Sequence, residues 1–247
     1  MAKNKKWILA AVAVLAVVLC CWAAWSKWAS TTRIGLVNFQ NYQTASLVKS
    51  NEDNFIEYEE IPLDRLDRLG RYDLVLGFGM GLKITEEQRA QILAAADEGT
   101  PIYIYAATNP ENDICSLDSL TKAGISAYIG NGNKRNYRNM ARYVRQHIDA
   151  KRLFVTPAEE AVESASDVLY HLDEDLSFKT VADYEKYLRE QGIYREKAPK
   201  IAIVGGLNDP FSGNRANIDS LIVSLQNAGM NVYPVSSYRQ RLAFLRE

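Results

Sequence analysis

From residue 33 onward, the chain alternates short apolar runs with amphipathic segments. Four of the apolar runs are rich in Val, Ile, Tyr and Phe, which is typical of β-strands. The predicted strands are residues 33–39, 55–61, 72–79 and 101–107. Because helical patterns alternate with such strands along the chain, we expect a doubly wound, mostly parallel sheet.

The helix between the third and fourth strands has both of its ends marked in the sequence. Thr85 and Gln88 form a capping box at its start, and Gly99 followed by Pro101 ends it. The further predicted units are a helix near 116–123, an apolar run at 125–130, a long helix near 135–149 and an apolar run at 152–157. We interpret residues 31–157 as a flavodoxin-like α/β domain.

The next part of the chain, residues 158–198, is more charged and is predicted to connect two domains. Within it, residues 167–175 are expected to form an edge strand, and residues 180–192 a helix that ends at Gly192. The run "REKAPK" at 195–200 marks the predicted boundary to the second domain.

Residues 199–247 are predicted to start a second α/β domain. A strand at 201–204 and a strand at 231–235 flank a helical pattern that ends at Gly229, which makes a βαβ unit. The apolar face of that helix consists of Ile218, Leu221, Ile222, Leu225 and Ala228. Ser237 and Gln240 are expected to begin another capped helix. Since one βαβ unit cannot cover both faces of a parallel pair, we expect this domain to be incomplete.

The first thirty residues form a separate segment. Three lysines precede the stretch from Trp7 to Ser26, which carries no charge and ends at Lys27. Twenty helical residues span roughly 30 Å, the thickness of a bilayer core. We expect a single-pass anchor in the inner membrane at residues 7–26, with residues 1–6 cytoplasmic and the part after residue 30 periplasmic. The alternative is a cleaved signal peptide, which leads to the same side of the membrane.

The overall composition is ordinary for a folded protein, with 47% hydrophobic residues, 24% charged residues and a net charge of −1. It provides no basis for binding nucleic acid. Cys115 is the one cysteine outside the predicted anchor, and His147 and His171 have no ligand spacing, so no metal site is predicted in this chain. No nucleophile–base pattern or pair of carboxylates identifies catalytic residues, which stay unknown.

A polar loop at the carboxyl end of the strand 201–204 is the first candidate site. It lacks the lysine and the glycine spacing of a phosphate-binding P-loop. Polar side chains near a helix N-terminus nevertheless occupy the place where α/β sheets bind ligands. The candidate ligand-binding residues are Asn208, Asp209, Ser212, Asn214, Arg215 and Asn217. The alternative is a purely local role, in which Asn214 or Asn217 caps the helix.

A row of arginines on the predicted helix 135–149 is the second candidate. The row consists of Arg135, Arg138, Arg142 and Arg145, opposite Met140, Val144 and Ile148. One interpretation is a contact for the anionic groups of a ligand or a lipid. The other is an ordinary amphipathic helix with its polar face in water.

Two long segments resemble the large-subunit family of cobaltochelatase and magnesium chelatase. The segments are "PKIAIVGGLNDPFSGNRANIDSLIVSLQNAGMNVYPVSS" at 199–237 and "GFGMGLKITEEQRAQILAAADEGTPIYIYAATNP" at 77–110. With its predicted anchor, the chain resembles in particular the membrane-anchored, haem-uptake-associated members of Bacteroidetes-type bacteria. The resemblance covers most of residues 33–240, through helix and strand patterns of moderate specificity.

The resemblance implies the N-terminal portion of a large protein that acts on tetrapyrroles. Such a protein inserts a metal, as in cobalamin biosynthesis, or removes one from haem. A tetrapyrrole and a divalent metal are then expected as substrates, with no cofactor in this chain. The expected partners are the membrane and the remainder of a chelatase or transport assembly. The resemblance transfers no catalytic residue, and the alternative function is a non-catalytic, membrane-tethered binding or scaffold module.

Overall fold

The computed structural model describes residues 2–163, 167–173, 176–205 and 215–236, with the side chains of 2–11 and 205 left out. Seven α-helices lie in this part of the chain. They are α1 (Ala2–Trp28), α2 (Asn41–Ser50), α3 (Glu86–Asp97), α4 (Ser119–Gly130), α5 (Lys134–Tyr143), α6 (Val181–Glu190) and α7 (Ala216–Asn227). The helix predicted to begin at Ser237 lies outside the described residues.

The chain divides into two compact units that interleave in sequence. The first unit comprises residues 1–39, 53–125 and 140–159, and the second comprises residues 40–52, 126–139 and 160–247. The predicted domains, in contrast, follow one another along the chain.

The first unit contains a four-stranded sheet in the order β2-β1-β3-β4. Its strands are β1 (Thr32–Val37), β2 (Ile56–Glu60), β3 (Leu74–Phe78) and β4 (Ile102–Tyr105). All three pairings are parallel; Ile34, for example, lies between Tyr58 of β2 and Leu74 of β3. The four predicted strands and their parallel arrangement are confirmed.

The core of the first unit lies against this sheet. Buried side chains from β3 and β4 pack with Ile92 of α3 and with Leu66 and Leu69, which precede β3. Helix α3 starts as predicted, because the backbone N–H of Gln88 donates to Thr85 Oγ1 at 3.2 Å and the Gln88 side chain accepts from the Thr85 N–H. Gly99 follows the helix with a φ of +98°, a left-handed conformation that favours glycine.

Neither of the two apolar runs after β4 forms a strand. The apolar run at 125–130 is the second half of α4, since Ile125 and Tyr128 lie three residues apart on one buried helical face. The run at 152–157 forms no strand, because Phe154 has a φ of +54° and the N–H groups of Arg152 and Leu153 donate to the carbonyl of Trp28. The long helix near 135–149 is confirmed: α5 continues into a π-helical turn at Val144–Ile148.

The second unit contains a mixed four-stranded sheet in the order β6-β5-β8-β7. Its strands are β5 (Val168–Tyr170), β6 (Ser177–Phe178), β7 (Lys200–Gly205) and β8 (Asn231–Ser236). Strands β7 and β8 are parallel, as the predicted βαβ unit requires, whereas β5 is antiparallel to both β6 and β8. The segment interpreted as a connector therefore supplies two strands of this sheet.

The prediction that β5 is an edge strand is also wrong. Val168 and Tyr170 point to one face of the sheet and pack with Ile222 of α7, while Leu169 points to the other face and packs with Tyr184 of α6. Because both faces are covered, all three strand residues are buried, which is the pattern of an interior strand. Helix α6 is confirmed, and Gly192 follows it with a φ of +68°.

The predicted membrane span at residues 7–26 lies within α1 and begins among residues whose side chains are not described. Within the described part of the chain, no helix is long and apolar enough to cross a membrane.

Candidate functional site

The carboxyl ends of β1, β3 and β4 meet at one edge of the first sheet because these strands are parallel. The chain leaves β1 towards β2 on one side and later returns to β3 on the other side. This change of direction next to β1 is a topological switch point, where doubly wound sheets bind ligands between the loops. The residues that follow the three strands are therefore the candidate binding residues of the first unit.

Asn38 connects two of these loops. It follows β1 with a φ of +60°, a left-handed conformation that asparagine tolerates better than most side chains. Its Nδ2 donates to the carbonyl of Phe78 at 2.6 Å and to the carbonyl of Met80 at 3.3 Å. The side chain thereby holds the end of β1 against the start of the loop after β3.

Three aromatic rings lie at the same edge. The ring centroids of Phe39, Phe78 and Tyr105 are 5.5 to 6.3 Å apart, with tilted planes. All three side chains are half-buried, and Met80 beside them is 57% exposed. We call Asn38, Phe39, Phe78, Met80 and Tyr105 the edge cluster.

The backbone near the edge cluster is closely packed. A Cβ atom on Gly79 would lie 2.6 Å from the Cα of Ala107, so the loops after β3 and β4 approach each other at a position that only glycine allows. Ala106, directly after Tyr105 in the chain, has a φ of +55°. These loops are therefore held in one arrangement by steric contact as well as by the hydrogen bonds of Asn38.

The edge cluster offers mainly apolar surface and one hydrogen-bonding amide. Its side chains provide aromatic faces, a thioether and an amide, with Tyr105 as its one titratable residue. Half-exposed rings can pack against a flat apolar ligand. The sequence analysis missed this site, because an aromatic residue near the end of a predicted strand was counted as part of the strand. The available signal was the recurrence of such a residue in three of the four strands.

The predicted loop site of the second unit is described only in part. Asn208, Asp209, Ser212 and Asn214 lie outside the described residues. Asn217 is exposed in the first turn of α7, while Arg215 and not an asparagine occupies the N-cap position, without a side-chain capping bond. Asn217 Oδ1 nevertheless accepts from the backbone N–H of Ile218 at 3.0 Å, and Asn214, the other residue of the capping alternative, lies outside the described residues, so this alternative stays a prediction.

Arg215 is almost fully buried, with 2% of its surface exposed. Its Nε lies 2.7 Å from Asp219 Oδ1, Nη2 donates to the carbonyl of His171, and the guanidinium lies 5.1 Å from the centre of the Tyr170 ring. Arg215 thus joins the start of α7 to the end of β5. Its predicted role in ligand binding stays a prediction, since the loop before it is not described.

His171 lies in the same buried group, with its Nε2 2.8 Å from the side-chain nitrogen of Gln226. Burial lowers the pKa of His171, and the positive charge of Arg215 lowers this pKa further. Both effects favour the neutral form of this imidazole. No group of three or more His, Cys, Asp or Glu side chains that could hold a metal occurs among the described residues.

The arginine row does not share one exposed face. Arg135 is exposed and Arg138 pairs with Glu52 at 3.0 Å, whereas Arg145 is fully buried. The guanidinium of Arg145 donates to neutral oxygens, five of them backbone carbonyls. The prediction that Arg145 contacts an anionic ligand group is therefore corrected. The physical reason is that carbonyls from residues distant in sequence surround the guanidinium, which the helical periodicity of the row does not show.

These features define the architecture of the described part of the chain as α/β. It has one doubly wound parallel sheet with an aromatic carboxyl edge and one mixed sheet built around a βαβ unit.

Residues 126–246 match the model of the CobN/Magnesium Chelatase family. Among solved structures, the chain is similar to the catalytic subunit of cobaltochelatase from Mycobacterium tuberculosis, with a TM-score of 0.56 and 17% sequence identity. The similar region covers 87% of this chain and 17% of that chain. No curated protein matches the sequence.

The match of residues 126–246 to this family model agrees with the resemblance predicted from the sequence. The structural similarity, at 17% identity, establishes a shared fold.

Proposed function

We propose that this chain is part of a chelatase-like protein that inserts a metal into a tetrapyrrole or removes one from haem. The match of residues 126–246 to the CobN/magnesium chelatase family carries the proposal. In this proposal the tetrapyrrole and the divalent metal are substrates, and the remaining groups for catalysis come from the rest of a larger assembly. The described residues provide a binding surface.

The edge cluster supports this function through its shape and its chemistry. A tetrapyrrole is a flat apolar macrocycle, which packs well against tilted aromatic rings such as Phe78 and Tyr105. These rings are half-exposed at the place where doubly wound sheets bind ligands. The two hydrogen bonds from Asn38 hold the loop after β3, so that a ligand would meet a preformed surface.

Carboxylates on the edge of a tetrapyrrole require separate cationic or polar contacts. Arg135 of the second unit, which is exposed, stays a proposed contact for the anionic groups of a ligand bound to that unit. The polar loop that contains Asn208 and Asp209 is a second proposed contact, carried by its position after β7. Arg145 is not included, because its guanidinium is buried.

Absorbance titration of the full chain with haem, and separately with metal-free protoporphyrin, tests the proposal. We expect Phe78→Ala and Tyr105→Ala to weaken binding by about 10-fold each, since each removes a stacking face. Phe154→Ala is the matched control, because Phe154 is an exposed aromatic residue that stacks on Phe55, just before the amino end of β2. Binding that is absent, or that is equally weak in all three variants, would favour the scaffold alternative.

We further propose that residues 7–26 anchor the protein in the inner membrane and that the part after residue 30 is periplasmic. The support is the uncharged stretch preceded by three lysines. Fusion of a phosphatase that is active only in the periplasm, placed after residue 247, tests the orientation. The matched variant replaces Leu15 and Val18 by Lys, which should prevent insertion and abolish the phosphatase activity. Activity of the fusion in the membrane fraction is expected; activity in the soluble fraction with a shortened N-terminus would indicate a cleaved signal peptide.

A further inference from the structure

Residues 65–72 carry a three-residue repeat with two distinct rows of side chains. Residues 66–71 form two short 3₁₀ turns, which are joined by a kink at Arg68. One row is apolar and buried, and it consists of Leu66, Leu69 and Tyr72. The other row is exposed and consists of Arg65, Arg68 and Arg71. Because Leu66, Leu69 and Tyr72 pack in the core of the first unit, the backbone that carries the three arginines is held in place.

Arg65, Arg68 and Arg71 line a cleft together with Tyr72 and residues 59–62 at the carboxyl end of β2. The cleft has a volume of about 110 Å³, which suits a small polar group and not a whole cofactor. Its lining contains three guanidinium groups but only two carboxylates, Glu59 and Glu60. The lining therefore carries a net positive charge.

The three arginines differ in how far they are already engaged. Arg71 is held in place, because its Nη2 donates to Glu59 Oε1 and, at 2.8 Å, to the hydroxyl of Tyr72. Arg68 has one loose ion pair, at 3.6 Å from Asp67, and both side chains are mostly exposed. The Arg65 side chain makes no hydrogen bond or ion pair with any residue that the structure describes.

We propose that this cleft binds a ligand with paired oxyanion groups, either carboxylates or phosphates. Arg65 and Arg68 are the binding groups, since guanidinium groups form strong paired hydrogen bonds to both kinds of oxyanion. Arg71, fixed by Glu59 and Tyr72, forms one side of the cleft. This site lies at the end of the edge strand β2 and is independent of the tetrapyrrole proposal.

Calorimetric titration of the full chain with pyrophosphate and with citrate, at low ionic strength, tests the site. We expect saturable binding of at least one probe, and the stronger probe identifies phosphate or carboxylate as the preferred group. The double substitution Arg65→Gln with Arg68→Gln should weaken binding at least about 10-fold. The double control Arg33→Gln with Lys83→Gln removes the same charge at two exposed positions of the same unit and should change the affinity less than about 2-fold.

A second variant distinguishes specific binding in the cleft from non-specific attraction of anions to positive charge. Glu59→Gln removes the ion-pair partner of Arg71 and should strengthen binding severalfold, whereas Glu57→Gln, on the same strand but outside the cleft lining, should not. The proposal is overturned if neither probe saturates, if the control pair loses as much affinity as Arg65→Gln with Arg68→Gln, or if the two glutamate variants bind equally well.

Discussion

Arg145 donates a hydrogen bond from Nη1 to the hydroxyl of Thr32 at 2.9 Å, across 113 positions of the chain. Thr32, the first residue of β1, in turn lies 2.5 Å from Asp149 Oδ2. The same guanidinium reaches the carbonyls of Ser30 and Phe55, which precede β1 and β2. One buried side chain therefore holds the starts of two neighbouring strands against the end of the long helix.

Replacing Arg145 by Met should lower the free energy of unfolding by at least about 3 kcal/mol, because several carbonyls around the buried guanidinium lose a donor at once. Arg135→Met, at an exposed position of the same helix, should change it by no more than about 0.5 kcal/mol. Urea denaturation followed by circular dichroism measures both. Equal stability of the two variants would contradict the structural role of Arg145.

Replacing Asn38 by glycine should reduce the stability of the protein less than replacing it by alanine. Asn38→Gly keeps the left-handed backbone accessible and loses the two side-chain hydrogen bonds, so a loss of about 1 kcal/mol is expected. Asn38→Ala also forces a Cβ into this conformation, which should raise the loss to about 2 kcal/mol. Thermal unfolding of both variants against the native chain tests the order, and an alanine variant as stable as the glycine variant would refute it.

The pKa of His171, lowered from its ordinary value of 6.5, predicts a pH dependence of stability. As the pH falls below 6.5, the unfolded chain binds the proton before the folded chain does, so protonation favours unfolding. Stability should therefore be constant above about pH 7.5 and decrease below 6.5, by at most about 1.4 kcal/mol per pH unit.

The matched variants for this effect are His171→Gln and His147→Gln. The first should remove the histidine-dependent part of the decrease. The second should leave it unchanged, because His147 is exposed. Denaturation curves at pH 5.5, 6.5 and 7.5, about one unit either side of the ordinary pKa, provide the comparison. A decrease that persists unchanged in His171→Gln would assign it to other groups.

Two neighbouring residues of α7 should differ in their contribution to stability. Ile222 is fully buried between α7 and the second sheet, whereas Leu221 is 43% exposed. Ile222→Ala should cost about 2–4 kcal/mol in the free energy of unfolding, and Leu221→Ala less than about 1 kcal/mol. Chemical denaturation measures both variants, and a larger cost at Leu221 would contradict the described packing.

Local sequence patterns predicted correctly those features that depend on neighbouring residues within one element. The capping box of Thr85 and Gln88 and the glycine after α3 depend on a few adjacent residues, and both are found as predicted. The four apolar runs of the first sheet became parallel strands because helical or looped connections separate them along the chain. The resemblance to the chelatase family was also recognisable, since the segment at 199–237 lies entirely within the matched residues.

Tertiary structure decided the features that depend on partners distant in sequence. The position of β5 inside its sheet follows from pairing with β8, more than sixty residues later. The burial of Arg145 follows from carbonyls contributed by residues 29–55 and 153–154, and no helical periodicity contains that information. The edge cluster arises because parallel strands bring Phe39, Phe78 and Tyr105 to one edge. A linear pattern determines which side chains are apolar, but only the packed chain determines which of them meet.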